Sequence, residues 1–274
     1  MGQSGEEGGD RVPDPSSGGR LRRSALITGG VEGLGRSVAQ ALLADGYAVT
    51  ATHRASDERA QVFSDEARRL GWRLQVLQAN AGKTGDVERS VAAHMEEFGA
   101  PWALVHAAGP FLVGRRDLVD TPQDEAIDMV EGNLIATLLY ATAVLPHMRR
   151  AGGGRVIVFG FDRAGDLPAW AGRSAYAAAK TGVLSLAKTL AVEEAAHRIT
   201  VNAICPGDIR DPLKEGTIAQ AREGGGVQAP VGRSGSGEDV ARIVQFFLAE
   251  DSDFLTGNIV YVTGGLDVLG ASKG

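Results

Sequence analysis

Tyr176 and Lys180 stand four residues apart in AYAAAKTGVLSLAKTL, a segment of small and apolar residues. On a helix that spacing puts both side chains on one face. An ammonium beside a phenol favours the phenolate and lowers a pKa that is normally about 10. A tyrosine tuned in this way passes a proton to or from a carbonyl oxygen near neutral pH. An ordinary solvated helix is the plain alternative, but few neighbours here would solvate a charge. Lysine is also scarce, five against 23 arginines. A second constellation lies in Thr28-Gly29-Gly30-Val31-Glu32-Gly33-Leu34-Gly35. Gly29 and Gly33 permit a tight turn and close approach of backbone to a pyrophosphate, and Gly35 permits close helix packing. By itself such a turn also suits any strand–helix junction.

The elements that must position these residues alternate along the chain. SALIT (24–28), YAVTAT (47–52), RLQVLQ (73–78), WALVH (102–106), RVIVFG (155–160), ITVNAI (199–204) and NIVYVT (258–263) read as seven strands. Their near-continuous apolar character suits strands covered on both faces. Helical periodicity falls at 34–45, 56–70, 84–97, 123–150, 174–196 and 238–249, with Thr121 as an N-cap and Pro122 at the first helical position. The alternation predicts an α/β, Rossmann-type, doubly wound parallel sheet in one domain, 24–270. Ligands bind such sheets beyond the carboxyl ends of the strands, where both constellations fall.

The 274 residues carry 28 basic and 34 acidic side chains, net −6. That balance argues against nonspecific nucleic-acid binding. Cys205 is the single cysteine, which excludes an internal disulfide and a multi-cysteine zinc site, and no metal site is expected. A reducing cytoplasm is the expected location. No apolar run of about 18 residues suggests a membrane span. Residues 1–23, rich in Gly, Pro, Ser and charge, read as a flexible tail, and 271–274 as a second.

The TGxxxGxG turn followed by YxxxK resembles the short-chain dehydrogenase/reductase family. Asn133 in GNLIAT, Pro206-Gly207 after ITVNAIC, and Thr256-Gly257 with TGG near the C-terminus match further family motifs, so the resemblance covers about 24–268. Within the family, PVGRSGSGEDVARIVQFFLAEDSDFLTG is similar to bacterial 3-oxoacyl-acyl-carrier-protein reductase-like members. The resemblance implies a carbonyl reductase in which Tyr176 supplies the proton, Lys180 holds the nicotinamide ribose and Asn133 completes a water relay. It implies cofactor contacts at Gly29, Gly33, Leu34, Asn80, Ala108, Gly109, Pro206, Gly207 and Ile209, besides Tyr176 and Lys180. A small carbonyl substrate, on a carrier-bound thioester in the nearest members, and a homotetramer paired through helices 123–150 and 174–196 are further implications.

Several positions depart from the pattern. No serine or threonine lies between Arg155 and Arg173, where the family has a serine that donates to the substrate carbonyl. Asp162, fourteen residues before Tyr176, falls at that place with one inserted residue. An ionised aspartate only accepts hydrogen bonds. It is therefore held protonated, orients a substrate N–H as in pteridine reductases of the family, or points away. A nucleotide-binding protein of low activity is the competing class. His106-Ala107-Ala108-Gly109 replaces NNAG, which removes an asparagine that braces the sheet. Asn80 replaces an aspartate at the adenine, and the threonine that holds the carboxamide is absent from CPGDIRDPL. The second strand ends His53-Arg54 with no acid before Asp57, which favours NADP(H) over NAD(H) because a basic pair suits a 2′-phosphate. Glu32 argues the other way. Residues 208–230 read as a mobile substrate lid.

Overall fold

The computed structural model describes residues 23–111, 114–224 and 229–266. Seven strands form one parallel sheet: β1 (Ser24–Thr28), β2 (Ala48–His53), β3 (Leu74–Gln78), β4 (Ala103–His106), β5 (Gly154–Phe159), β6 (Ile199–Pro206) and β7 (Ile259–Val262). The order is β3-β2-β1-β4-β5-β6-β7, with Thr28 beside Thr52 on one side and His106 on the other. The chain order reverses between β1 and β4, which opens a crevice at their carboxyl ends.

Two helical layers cover the sheet. α1 (Gly33–Ala44), α2 (Asp57–Leu70) and α8 (Gly237–Leu248) close one face over Val38, Leu42, Phe63, Val244 and Leu248. α3 (Thr84–Phe98), α5 (Ala136–Ala151) and α6 (Ser174–Glu193) close the other over Tyr140, Val144, Met148, Val183 and Leu184. The central strands are buried along their whole length, as continuous apolar runs require. β3 and β7 are only partly buried because they are the sheet's edges, so the expectation of two covered faces fails for them.

The expected helix 123–150 is broken. α4 (Gln123–Val130) passes through a π-helical turn, Glu131–Ile135, before α5 begins. Asn133 sits in that turn, where its Nδ2 donates to the carbonyls of Met129 (2.9 Å) and Pro110 (3.1 Å). Such insertions recur at functional sites. Gln123–Ala151 is long and apolar enough by composition to cross a membrane, yet Tyr140, Val144 and Met148 are wholly buried against the sheet. Thr121 is not the N-cap: its hydroxyl donates to Asp117 O, and Pro122 takes the cap position without a side-chain bond. The expected helix 174–196 ends at Glu193, before a 3-10 turn Ala195–His197.

The boundaries of the expected tails shift as well. Arg23 pairs with Glu250 at 2.7 Å and stacks on Trp102, so order begins before β1. Residues 1–22 and 267–274 lie outside the described residues, as do 225–228 of the expected lid. The described part of that lid holds a 3-10 turn, Leu213–Glu215, and a short helix α7 (Ile218–Arg222), tied down where Ser37 donates to Lys214 O.

Candidate active site

A cavity of about 910 Å³ opens at the carboxyl ends of β1, β4, β5 and β6. Each strand end contributes to it: the glycine turn, Ala107–Gly109, Gly160–Asp162, and Pro206–Arg210. Tyr176 and Lys180 line it from one face of α6.

Lys180 is buried and its ammonium donates to Phe159 O at 3.0 Å. Burial lowers its pKa to about 8. Burial also raises the Tyr176 phenol well above its ordinary 10, with the Arg173 guanidinium acting the other way. The expected lowering by Lys180 is therefore outweighed by burial. The ammonium lies 5.9 Å from the ring centroid and spends its hydrogen bond on the strand. Phe111, Phe161 and Trp170 pack around the phenol, with centroids 5.0, 6.0 and 6.0 Å from its ring.

Asp162 is buried in the same cavity, directly after Phe161. The loop that carries it turns through Arg163 and Leu167, both left-handed at φ 58° and 53°. A non-glycine residue in that region costs of order 1 kcal/mol or more. The two strained residues flank the 3-10 turn Ala164–Asp166. Cys205 is fully buried below, its thiol pushed up to about 12 by burial, and a Cβ on Gly160 would come within 2.6 Å of its sulfur. It packs as a small apolar residue, as expected.

The glycine turn has the geometry of an anion cradle. Gly29 is left-handed, φ 63°, and a Cβ on Gly35 would sit 2.2 Å from Gly29 O. The first amide of α1, Gly33 N, already donates to a carboxylate oxygen of Glu215 at 2.7 Å. That carboxylate also pairs with Arg59 and lies 3.8 Å from Arg36. It occupies the helix N-terminus as a phosphate would. Gly109 leaves room for a ligand or for Asn133: a Cβ there would meet Asn133 Oδ1 at 2.2 Å, and that oxygen is buried without a partner. These features fit a dinucleotide. Nothing in the sequence flagged Glu215, since its contact is made 182 residues from Gly33.

The remaining expected contacts are placed unevenly. Gly207 N donates to Val262 O, and Ile209 N to Gly207 O, so Pro206, Gly207 and Ile209 form a fixed turn at the cavity wall. Asp208 and Arg210 are locked as a two-pronged ion pair at 2.6–3.0 Å. Asn80 Oδ1 accepts from Gly82 N. His53 is buried with Nδ1 accepting from Ser56 N, so its ring serves the loop after β2. Arg54 is 62% exposed and only 3.9 Å from Asp128. His106 corrects one expectation: it braces the sheet itself, with Nδ1 in a 3.0 Å hydrogen bond to Thr28 Oγ1, which accepts from Ala108 N. Burial and Lys180 lower its pKa to about 3, so the ring is neutral.

The chain matches a family model described as enoyl-(acyl carrier protein) reductase over residues 29–267. It is 43% identical over 252 residues to "Putative oxidoreductase YtkK" of Bacillus subtilis, covering 92% of this chain and 99% of that one. The chain belongs to the short-chain dehydrogenase/reductase family. It is 31% identical over 251 residues to the 3-oxoacyl-[acyl-carrier-protein] reductase FabG of Staphylococcus epidermidis, covering 90% and 99%. A solved structure from Bacillus thuringiensis, described as a "putative 3-oxoacyl-reductase", superposes with a TM-score of 0.85 at 43% identity, covering 90% of this chain and 99% of that one. This short-chain dehydrogenase/reductase is thus an NAD(P)-dependent oxidoreductase of FabG-like kind.

Proposed function

We propose that the protein is an NADPH-dependent carbonyl reductase acting on 3-oxoacyl-thioester-like substrates. The observation that carries this reading is the burial of Tyr176 and Lys180 together in the cavity that also holds the glycine turn. The relative FabG, named for 3-oxoacyl-carrier reduction, adds weight. Bound nicotinamide supplies the hydride.

The chain's own residues do the rest. Gly29, Gly33 and Leu34 line the cavity at the start of α1 and hold the pyrophosphate once Glu215 withdraws. Ala108 and Gly109 wall the nicotinamide half from β4, and Pro206, Gly207 and Ile209 from β6. Asn80 meets the adenine with its second carbonyl lone pair. Tyr176, whose burial keeps it protonated, donates its phenolic proton to the carbonyl oxygen. The Lys180 ammonium then stabilises the phenolate. Asn133, fixed in the π turn, stands at the head of the relay that returns the proton. The absence of an acid at the end of β2, together with the accessible Arg54, supports a 2′-phosphate. His53 contributes by holding the loop. Exposed Ile127, Ile135 and Leu138, on α4, the π turn and α5, support the homotetramer.

Asp162 favours a second reading, a pteridine reductase-like enzyme that uses its carboxylate to orient a substrate N–H. The experiment measures NADPH and NADH binding and turnover on a ketone, thioester and pteridine panel. Tyr176→Phe should abolish reduction and leave NADPH binding intact. Arg54→Asp should weaken NADPH binding far more than NADH binding. Activity retained in the Phe variant, or equal losses of both cofactors, would overturn the respective assignment. Tight NADPH binding with no turnover on the whole panel would favour the nucleotide-binding protein of low activity.

A further inference from the structure

Arg173 is 8% exposed, lines the catalytic cavity, and its Nε and Nη1 have no hydrogen-bond partner among the described residues. A guanidinium keeps its charge when buried, so its donors are left costly and unmet. The two ionisable groups that act on it are a second cation, Arg115, and the phenol of Tyr176. Its one directional contact is with the face of Phe111, 4.7 Å from the ring centroid. The site is more cationic still because Arg173 is the N-cap of the twenty-residue helix α6. No side chain caps that helix and no acid lies in its first turn. The indole N–H of Trp170, also buried, is likewise without a partner.

Two unmet donor sets therefore share the cavity wall, a guanidinium three residues before Tyr176 and an indole N–H six residues before it, with the start of a long helix beside them. Around them stand the rings of Phe111, Phe161 and Trp170. We propose that this corner is the receptor for a carboxylate on the substrate, so that the enzyme also acts, besides thioesters, on carbonyl compounds with a flat or apolar body and an acid group a few bonds from the carbonyl. A guanidinium fork matches the two oxygens of a carboxylate, and the rings enclose the body between acid and carbonyl. The placement also orients the carbonyl, because the acid is fixed on the same helix face that presents the phenol. This rests on the carbonyl reductase reading for its chemistry but not for its binding.

The test uses matched probes, 4-oxo-4-phenylbutanoate and its methyl ester, with the full-length protein and NADPH. Wild type should prefer the acid in kcat/KM. Arg173→Gln should lower the acid's kcat/KM on the order of tenfold to a hundredfold more than the ester's, mainly through KM. Trp170→Phe, which keeps the ring and removes the N–H, should reduce the preference by a smaller factor. Inorganic phosphate at matched ionic strength should compete less well than benzoate. Stronger competition by phosphate would replace the carboxylate with a phosphorylated substrate and overturn the proposal. Equal use of acid and ester by wild type, or equal losses in Arg173→Gln, would overturn it too. Calorimetric binding of both probes to Tyr176→Phe separates the two readings. Acid preference there without turnover in wild type sinks the reductase reading alone, and no preference sinks this one. If Arg173→Gln does not fold, the Trp170→Phe and calorimetric results decide.

Discussion

Lys180 keeps its ammonium only below about pH 8, because nothing but Phe159 O and the cavity replaces its lost water. In the proposed mechanism that charge receives the developing phenolate. The rate should therefore hold through neutral pH and fall as pH rises through about 8, and a kcat/KM profile flat to pH 10 would remove Lys180 from the proton step. Asp162 lines the same cavity, and an ionised carboxylate turned toward that oxygen would oppose its developing charge. Asp162→Ser puts a neutral donor there and should raise turnover of uncharged ketones several-fold at pH 7, read in initial rates. A pteridine substrate should lose activity instead, since it loses an acceptor. Equal rates on every substrate would make Asp162 a bystander. That Tyr176 and Lys180 share one helix face is legible from spacing alone, because a helix repeat is a local fact, whereas Asp162 is singled out only by the family resemblance. The electrostatic state of Tyr176 is not legible, since it is set by three aromatic rings gathered from two other loops. Arg173 is intermediate: its spacing of three from Tyr176 is on the page, but its want of a partner exists only once the chain has folded.

At the scale of elements, the 3-10 turn Leu213–Glu215 and the start of α1 compete for one another's charge with whatever else would bind there. Glu215 is held by Gly33 N, Arg59 and Arg36, the groups that a dinucleotide's phosphates would seek. Cofactor binding has to displace it. Glu215→Gln should keep the turn's size and tighten NADPH binding by several-fold, measured by fluorescence titration, and weaker binding would show that Glu215 supports the site. The strands and their parallel, doubly wound arrangement follow from apolar runs and alternation, which require only local sequence and the rule for parallel crossovers, whereas the strand order is read from the pairings. The break at Glu131–Ile135 does not follow, because GNLI has no proline and its apolar pattern runs straight through. Only the bonds from Asn133 to Met129 O and Pro110 O reveal it.

At the scale of the whole molecule, burial among the described residues holds His94 and His106 neutral. His94 joins α3 to β2 and β1 through Thr50 and Ser24, at 2.8 and 3.0 Å, and burial lowers its pKa to about 4. His106 lies at about 3. Each binds its proton near pH 6.5 when unfolded, so the unfolded state gains protons first as pH falls, and stability declines from about 6.5 downward until the folded rings also protonate. Each ring should cost about 2 kcal/mol between pH 7 and pH 5. His94→Gln should remove about half of that difference in urea midpoints, and a wild-type midpoint unchanged over the interval would refute the account. The three tryptophans are also distributed unequally over the fold. Trp72 and Trp102 stand just before β3 and β4, at the amino edge of the sheet, with Trp102 clamped between Arg23 and Arg155 at 4.7 Å each. Trp170 is at the opposite edge, in the cavity wall. The protein's ultraviolet emission is consequently sorted by location. A chromophore that settles in the cavity dims one emitter of three, and the other two remain as an internal reference against which occupancy can be read without a label.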